Sequence, residues 1–276
     1  MATEDNTEMM TPLIKRFDAL WKYRGFIRSS VINDIKMRFN RSNIGGIWII
    51  LQPLAQSAIF AIVLSVIMKA RLPGIDNTHT YAAYLLSGIL CWTLFTESLN
   101  KGLGLFLENA GVIKKVSFPL LTLPIIGGLI SLANNIFLLF ATMLILALLG
   151  VFPSEKIILL PVMILLTLGL GLGVGVFLGI LNVFIRDIGV IVPIILQFMF
   201  WFCPIVYSPE SLPETFRTVL AYNPMSWMVR SYQDILVFDR WPVIESLLPA
   251  LIIGIVSWIL VRFFLRRTYA QMVDIL

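Results

Sequence analysis

The stretch Ile157–Ile185, IILLPVMILLTLGLGLGVGVFLGILNVFI, contains no charged side chain. A bilayer core about 30 Å thick requires about 20 apolar residues in a helix, so this stretch alone is long enough to cross a membrane. Helix is expected because lipid cannot hydrogen-bond to free backbone N–H and C=O groups. The stretch therefore predicts an all-α membrane protein.

The composition of the whole chain supports the same fold class. Of the 276 residues, 58% are hydrophobic and 13% are charged, whereas soluble domains carry about 25% charged residues. This composition excludes a soluble enzyme, a disordered chain and a disulfide-rich secreted domain. Cys91 and Cys203 lie in apolar runs and are predicted to be packed thiols. The N-terminus has no short apolar segment, so we expect no cleavable signal peptide.

Six apolar stretches are long enough to span a bilayer. They are approximately Ile44–Met68, Tyr81–Asn100, Phe118–Leu149, Ile157–Ile185, Ile188–Tyr207 and Val243–Leu265. We predict a cytoplasmic tail and interface helix over 1–43, a six-span domain over 44–265 and a cytoplasmic tail over 266–276. Fifteen of the 21 Lys and Arg residues fall on the side of the termini. The positive-inside rule therefore predicts a multi-pass protein of the cytoplasmic (inner) membrane with both termini in the cytoplasm.

The segment before the first span has the pattern of an amphipathic helix. Its apolar residues fall within one arc of a helical wheel; they are Ile27, Val31, Ile32, Ile35 and Phe39. Arg28 lies in the same arc, so the pattern is imperfect. A helix lying in the membrane interface is predicted, and a simple electrostatic anchor to anionic lipid is the alternative.

Two loops differ from simple connections. The cytoplasmic loop 101–117 combines an apolar stretch with Glu108 and a pair of lysines. In the outer loop 208–242, Ser211 and Glu214 have the spacing of a capping box. The helix that they begin should end at Asn223-Pro224, where Asn223 can cap a second helix. We predict two short re-entrant or surface-lying helices, and a plain solvated loop is the alternative.

The chain lacks the residues that ATP hydrolysis or metal binding would need. It contains no G-x-x-x-x-G-K-[ST] phosphate loop. The glycines Gly171, Gly175 and Gly179 repeat every four residues, which favours close helix packing over dinucleotide binding. His79 has no ligand partner at suitable spacing, and the acidic residues within the predicted spans are Glu97 and Glu245, of which Glu245 stands at the very start of the sixth span. We therefore expect no catalytic residues, no bound metal and no proton-coupled transport.

Neutral polar and aromatic residues lie within the predicted spans. The polar ones are Gln52, Gln56, Asn134, Asn135, Asn182 and Gln197. Each is more typical of an interhelical hydrogen bond than of a substrate contact. Pro193 and Pro204 flank the aromatic residues Phe198, Phe200, Trp201 and Phe202. Either a lipid-facing aromatic belt or the lining of a path for a hydrated polymer fits this cluster.

Several motifs occur in order between residues 20 and 242. They are 39–48 (FNRSNIGGIW) with Gln52-Pro53, 86–92 (LSGILCW), 114–119 (KKVSFP), 181–188 (LNVFIRDI), 197–207 (QFMFWFCPIVY), 212–213 (LP) and 222–225 (YNPM). Together they resemble the permease subunits of type-2 ABC polysaccharide exporters. Within that family the resemblance is greatest to O-antigen (lipopolysaccharide) exporters, with teichoic-acid and capsule exporters as relatives.

The resemblance implies a homodimer of six-helix subunits that enclose one channel. Two copies of a separate ATP-binding cassette subunit would supply ATP hydrolysis, so ATP and Mg belong to that partner and this chain needs no cofactor. The family's interface helix, coupling helix and paired gate helices correspond to residues 18–40, 101–115 and 211–237. The implied substrate is a glycan linked to undecaprenyl diphosphate. No nucleic-acid partner is expected.

The resemblance and the polarity pattern together assign candidate site residues. Substrate-channel candidates are Trp48, Gln52, Phe198, Trp201, Phe202 and Tyr207. Candidates for the entrance of the lipid diphosphate are Arg28, Arg38 and Arg41. Candidates for coupling to the ATPase are Glu108, Lys114 and Lys115. Candidates for the periplasmic gate are Pro213, Tyr222, Asn223 and Pro224.

Two other functions remain open at the level of the sequence. A permease for a drug or a small lipid would share the same architecture. An intramembrane glycolipid-processing enzyme would need paired carboxylates, and Glu97 has no obvious acidic partner in the sequence.

Overall fold

The computed structural model describes residues 21, 23–40, 47–61, 78–114 and 122–276, and within these ranges it contains helices and no strands. The α-helices are α1 (Arg24–Asn40), α2 (Trp48–Ala61), α3 (Thr78–Glu108), α4 (Ala110–Ile113), α5 (Thr122–Leu148), α6 (Leu160–Phe184), α7 (Ile188–Trp201), α8 (Glu214–Tyr222), α9 (Pro224–Gln233) and α10 (Ile244–Ile275). Short 3₁₀ turns cover Glu155–Leu159 and Pro209–Ser211, and a π-helical turn covers Asp234–Phe238. The predicted all-α fold class is confirmed for this part of the chain.

Four of the described helical segments are long and apolar enough to cross a membrane. They are Thr80–Glu108, Thr122–Leu148, Glu155–Phe184 and Ile244–Ile275, which correspond to the predicted second, third, fourth and sixth spans. The predicted first span is described only as α2, and its remainder lies outside the described residues. The helix of the predicted fifth span, α7, has 14 residues and is about 21 Å long.

Three boundaries differ from the predictions. Helix α3 continues to Glu108, so the first half of the predicted coupling loop is a helical extension of the second span. Helix α10 continues to Ile275 and takes up the predicted C-terminal tail. Helix α7 ends at Trp201 instead of Tyr207, because Pro204 has no N–H to continue the helical ladder and residues 202–207 form turns.

The centre of the bundle is the contact between α3 and α6. A β-carbon added to Gly175 would lie 2.8 Å from Leu99 Cα, and one added to Gly102 would lie 2.5 Å from Val176 N. Real β-carbons do not approach backbone atoms that closely, so only glycine fits at both positions. The predicted packing role of the glycines at four-residue spacing is therefore confirmed, with α3 as the partner helix.

The outward sides of the long helices carry large apolar side chains. Examples on α5, α6 and α10 are Phe140, Leu148, Val162, Leu165, Ile244, Ile252 and Ile259, all of them more than half exposed. A soluble protein would bury side chains of this kind. This surface fits a lipid environment, as expected for helices that span a membrane.

Helix α1 packs against α5 through one side. The half-buried residues Ile27, Val31 and Ile35 lie on that side, while Ile32 is exposed. Three of the five residues of the predicted apolar arc are thus half-buried, Ile32 is exposed, and the Phe39 side chain lies outside the described residues. Arg28 is exposed, because it occupies the flank of the helix instead of the packed stripe.

Candidate functional site

A groove of about 460 Å³ runs along one face of α2. Its lining residues are Trp48, Gln52, Ala55, Gln56 and Ile59, which recur at helical spacing. Pro53 is buried on the other side of the helix. Gln52 and Gln56 are exposed, so their amides face the groove instead of a packed helix contact. The structure thus brings the predicted channel residues Trp48 and Gln52 into one groove.

A second aromatic surface lies at the end of α7. Phe198 is 67% exposed, Trp201 54% and Phe202 51%. Phe200, in the same predicted cluster, is buried and packs edge-on against Trp92 with ring centroids 5.8 Å apart. The structure therefore separates the cluster into one core residue and three surface residues, and the surface residues are the three predicted to line the channel.

The turn after Trp201 leaves backbone carbonyls without helical partners, and tyrosines of α3 bind several of them. The hydroxyl of Tyr84 donates to Pro204 O at 2.7 Å and lies 2.9 Å from Tyr207 O. The hydroxyl of Tyr81 donates to Val206 O at 2.8 Å. These bonds fix the turn to the N-terminal end of α3.

Helix α9 binds the same turn from the other side. Gln233 Nε2 donates to Pro204 O at 2.9 Å, and Asn223 Nδ2 donates to Phe202 O at 2.9 Å. The Tyr207 hydroxyl closes the turn on itself by donating to Trp201 O at 2.7 Å. Tyr207, predicted to line the channel, is therefore half-buried and contributes to the structure of the turn.

Sequence reasoning missed Tyr81, Tyr84 and Gln233 as residues of this region. Tyr81 and Tyr84 are three residues apart and therefore lie on one helix face. A buried tyrosine hydroxyl requires a hydrogen-bond partner, so two tyrosines on one face of an apolar span indicate a nearby polar backbone. That signal was present in the sequence, but the identity of the acceptor was not.

The two short helices of the outer loop differ in burial. In α9 the side chains of Met225, Met228, Val229 and Tyr232 are fully buried. In α8, Leu220 is the one buried residue, and Tyr222 is 85% exposed. The plain solvated loop is thus wrong, because α9 is a core element of the bundle.

The ends of these two helices test the predicted capping residues. Asn223 Oδ1 accepts a hydrogen bond from Met225 N at 3.0 Å and caps α9, as predicted, with Pro224 in the first turn. The capping box at Ser211 and Glu214 does not form, because Ser211 belongs to a 3₁₀ turn and Pro213 occupies the N-cap of α8 without a side-chain hydrogen bond.

A charged cluster holds the start of α8 against α9. Glu210 accepts from the Ser208 hydroxyl and forms an ion pair of 3.1 Å with Arg230. Arg217 donates to Glu210 O at 2.6 Å and to Leu212 O at 2.8 Å. Burial alone would raise the pKa of Glu210, but the hydrogen bond from Ser208 and the charges of Arg230 and Arg217 hold this pKa below its usual value.

The segment after α9 contains two aspartates in different surroundings. Asp234 begins the π-helical turn and is buried, and burial raises the pKa of its carboxyl against the opposing charges of Arg230 and Arg240. Asp239 has a left-handed backbone, with φ of 51°. Its carboxylate lies 2.5 Å from Lys156 Nζ, and this ion pair connects the segment to the start of α6.

The structure describes some of the candidate residues that were predicted to lie on the cytoplasmic side. Glu108 and Lys114 are exposed at the end of α3 and after α4, and Lys115 lies outside the described residues. Arg28 is exposed on α1, whereas the Arg38 side chain and the whole of Arg41 lie outside the described residues. Asn182 connects helices, as predicted, by donating to Leu103 O at 3.3 Å.

Cys91 and Cys203 are buried free thiols, as predicted. Among the described residues, no three His, Cys, Asp or Glu side chains are grouped so that they could hold a metal ion.

Comparison with known proteins identifies relatives over most of the chain. The family described as "ABC-2 type transporter" matches residues 27–237. The O-antigen export system permease protein RfbA of Myxococcus xanthus is 28% identical over 88% of this chain and 92% of its own length. A protein of the same description from Klebsiella pneumoniae is 26% identical over 73% of this chain and 76% of its own length. The polysialic acid transport protein KpsM of Escherichia coli is 22% identical over 74% of this chain and 78% of its own length.

Proposed function

The chain belongs to the ABC-2 type transporter family, and on that premise we propose that it exports a lipid-linked polysaccharide across the cytoplasmic membrane. The observation that carries this proposal is the similarity to an O-antigen export permease over 88% of the chain. The substrate would be a glycan of the O-antigen type on undecaprenyl diphosphate.

Energy for export would come from a separate subunit. Permeases of this family are transmembrane components and are not themselves ATPases. We propose two copies of an ATP-binding cassette subunit below a homodimer of this chain, each with six spans and with both termini in the cytoplasm. ATP and Mg would be bound by the partner.

The path of the glycan would follow the two exposed aromatic surfaces. Phe198, Trp201 and Phe202 present flat rings and no fixed charge, which suits the apolar faces of sugar rings and does not trap a moving polymer. The groove on α2 offers Trp48 beside the amide of Gln52. In a homodimer, these surfaces of the two subunits would face each other. They would then line the channel instead of contacting lipid.

The remaining candidates would act at the two ends of the path. Arg28, Arg38 and Arg41 would attract the lipid diphosphate at the inner leaflet through charge-assisted hydrogen bonds. The segment with Glu108, Lys114 and Lys115 would receive the movement of the ATPase. At the outer face α8 and α9, with Pro213, Tyr222, Asn223 and Pro224 at their ends, would form the gate as a re-entrant pair.

The similarity to KpsM favours one second candidate, a capsule polysaccharide exporter; a teichoic-acid exporter is a variant of it. A drug or lipid permease has no such observation in its favour.

Co-purification and reconstitution test this proposal. We expect the chain to form a stable complex with its ATPase, and vesicles that contain both to translocate a lipid-linked glycan only when ATP is supplied. A chain that hydrolyses ATP alone, or vesicles that transport without the second subunit, would contradict the proposal.

A further inference from the structure

Helix α5 carries buried polar atoms that have no hydrogen-bond partner in the part of the chain that the structure describes. Among the described residues, the buried side-chain oxygens without a hydrogen bond are Thr122 Oγ1, Ser131 Oγ, Asn134 Oδ1, Asn135 Oδ1 and Thr142 Oγ1. All of them belong to this one helix. In folded proteins, buried polar groups are almost always hydrogen-bonded to protein or to ordered water, so this concentration requires an explanation.

Hydroxyl groups on the other long helices behave differently. Buried Ser87, Thr167 and Ser257 each donate to the carbonyl four residues earlier in their own helix, at 2.7–2.8 Å. Ser131 and Thr142 are equally buried but make no such bond. Their hydroxyls therefore lack the intrahelical hydrogen bond that satisfies the buried hydroxyls of Ser87, Thr167 and Ser257.

Four of the five residues lie on one side of α5. At 3.6 residues per turn, Ser131, Asn134, Asn135 and Thr142 fall within an arc of about 100°, and Thr122 lies opposite. We call these four residues with Glu97 the polar seam. The seam faces α3, because Asn134 Nδ2 donates to the Glu97 carboxylate and Asn135 Nδ2 donates to Leu90 O at 3.1 Å.

The two asparagines use their amide N–H groups on α3 and leave both amide oxygens without a donor. Each residue is only 2% exposed. Four buried acceptor oxygens within three turns of one helix require donors, and the hydroxyls of Ser131 and Thr142 also have protons to give. A small molecule that both donates and accepts hydrogen bonds meets these requirements, and water is that molecule.

We propose that the polar seam binds ordered water molecules between α3 and α5, inside the membrane-spanning bundle. The waters donate to Asn134 Oδ1 and Asn135 Oδ1 and exchange hydrogen bonds with Ser131 and Thr142. The waters also lie beside Glu97 of α3, whose carboxylate would be energetically unfavourable in contact with lipid. Helix α3 then has two unlike sides, a dry contact with α6 built on Gly102 and Gly175 and a hydrated contact with α5.

Radiolytic hydroxyl labelling of the full chain in lipid nanodiscs tests this directly, because bound water generates radicals next to buried side chains. Leu138 lies on the seam side of α5 and is 2% exposed, while Leu99 faces the dry contact and is 3% exposed. We expect Leu138 to be labelled several-fold more than Leu99. Equal labelling of these two leucines would overturn the proposal.

Two substitutions give an independent test, because the melting temperature should fall if the polar seam binds water and rise if it does not. If water is bound, Thr142→Val and Ser131→Ala each remove one hydrogen-bond partner of the water, and each variant should have a melting temperature a few degrees lower. Loss of labelling at Leu138 should accompany that decrease. If the seam is dry, the same substitutions delete an unpaired buried oxygen and raise the melting temperature.

Ser257→Ala is the matched control, because Ser257 is also a buried helical serine but donates to Ile253 O. It should leave the melting temperature almost unchanged and the labelling of Leu138 intact. A higher melting temperature in both seam variants than in the wild type would overturn the proposal even if the protein remained active.

Discussion

Gly175 of α6 lies against the backbone of Leu99 in α3, with room for a hydrogen atom and no room for a methyl group. The contact between α3 and α6 therefore depends on the absence of a side chain at position 175. Helices that approach this closely gain dispersion contacts along their backbones, which is the main source of association between helices in lipid.

Gly175→Ala should destabilise the protein. A methyl group at this position would push α3 and α6 apart, and overpacking of this kind costs about 1–3 kcal/mol. We expect a lower melting temperature and a lower yield of purified protein. Gly169→Ala is the control, because no atom lies within 4 Å of the added β-carbon. Similar losses in both variants would show that the close contact with Leu99 is not the cause.

Tyr84→Phe should loosen the turn that follows α7. The substitution removes the hydroxyl that donates to Pro204 O and lies 2.9 Å from Tyr207 O. Because Gln233 Nε2 still donates to Pro204 O, the expected cost is the net value of one hydrogen bond, about 0.5–1.5 kcal/mol. Thermal unfolding should report the loss, and protease sensitivity within 202–208 should increase. Tyr222→Phe, on a side chain that is 85% exposed, should change neither quantity.

Replacement of Trp201 and Phe202 by alanine should lower glycan export without lowering complex formation with the ATPase. Both rings are more than half exposed, so their loss leaves no cavity in the core. Export is measured as glycan at the cell surface, and assembly by co-purification. Phe140→Ala removes a ring that is 74% exposed on α5 and should leave export unchanged. Normal export in the double variant would remove these aromatics from the path.

The Glu210 carboxylate should make stability depend on pH in a defined direction. Its pKa in the folded chain lies below the ordinary value of 4.5. The ionised group therefore contributes stability that is present above the unfolded pKa and is lost as the pH falls through the folded pKa. Asp234, whose pKa is raised, acts in the opposite direction, so the wild type must be compared with Glu210→Gln.

The comparison is a pair of thermal unfolding series from neutral pH to below 4.5. The melting temperature of the wild type should exceed that of Glu210→Gln at neutral pH, and the difference should shrink toward acid. A difference that stays constant over the series would mean that the ion pair with Arg230 does not contribute.

The features that the sequence predicted correctly are those set by local chemistry. Glycine spacing in α6 depends on helical period, and the Asn223 cap depends on a side chain two residues from its donor. Both can be deduced from a few neighbouring residues. The predicted long spans follow in the same way from the thickness of the bilayer.

The errors concern features that depend on distant parts of the chain. The turn 202–207 is held by Tyr81 and Tyr84, more than a hundred residues earlier, which donate to its carbonyls. The burial of α9 likewise depends on its contacts with α3, α6 and α10. Ser211 matched a capping pattern, but it belongs to a 3₁₀ turn and Pro213 occupies the N-cap of α8.

Helix α10 is longer than a membrane crossing requires. Its 32 residues form a continuous rod about 48 Å long, which exceeds the thickness of the lipid core by several turns. The surplus lies at the end that carries Arg266 and Arg267. A fluorescent probe attached rigidly at this end would report every tilt of the rod as a displacement, whereas a flexible tether at the same site would average that signal away.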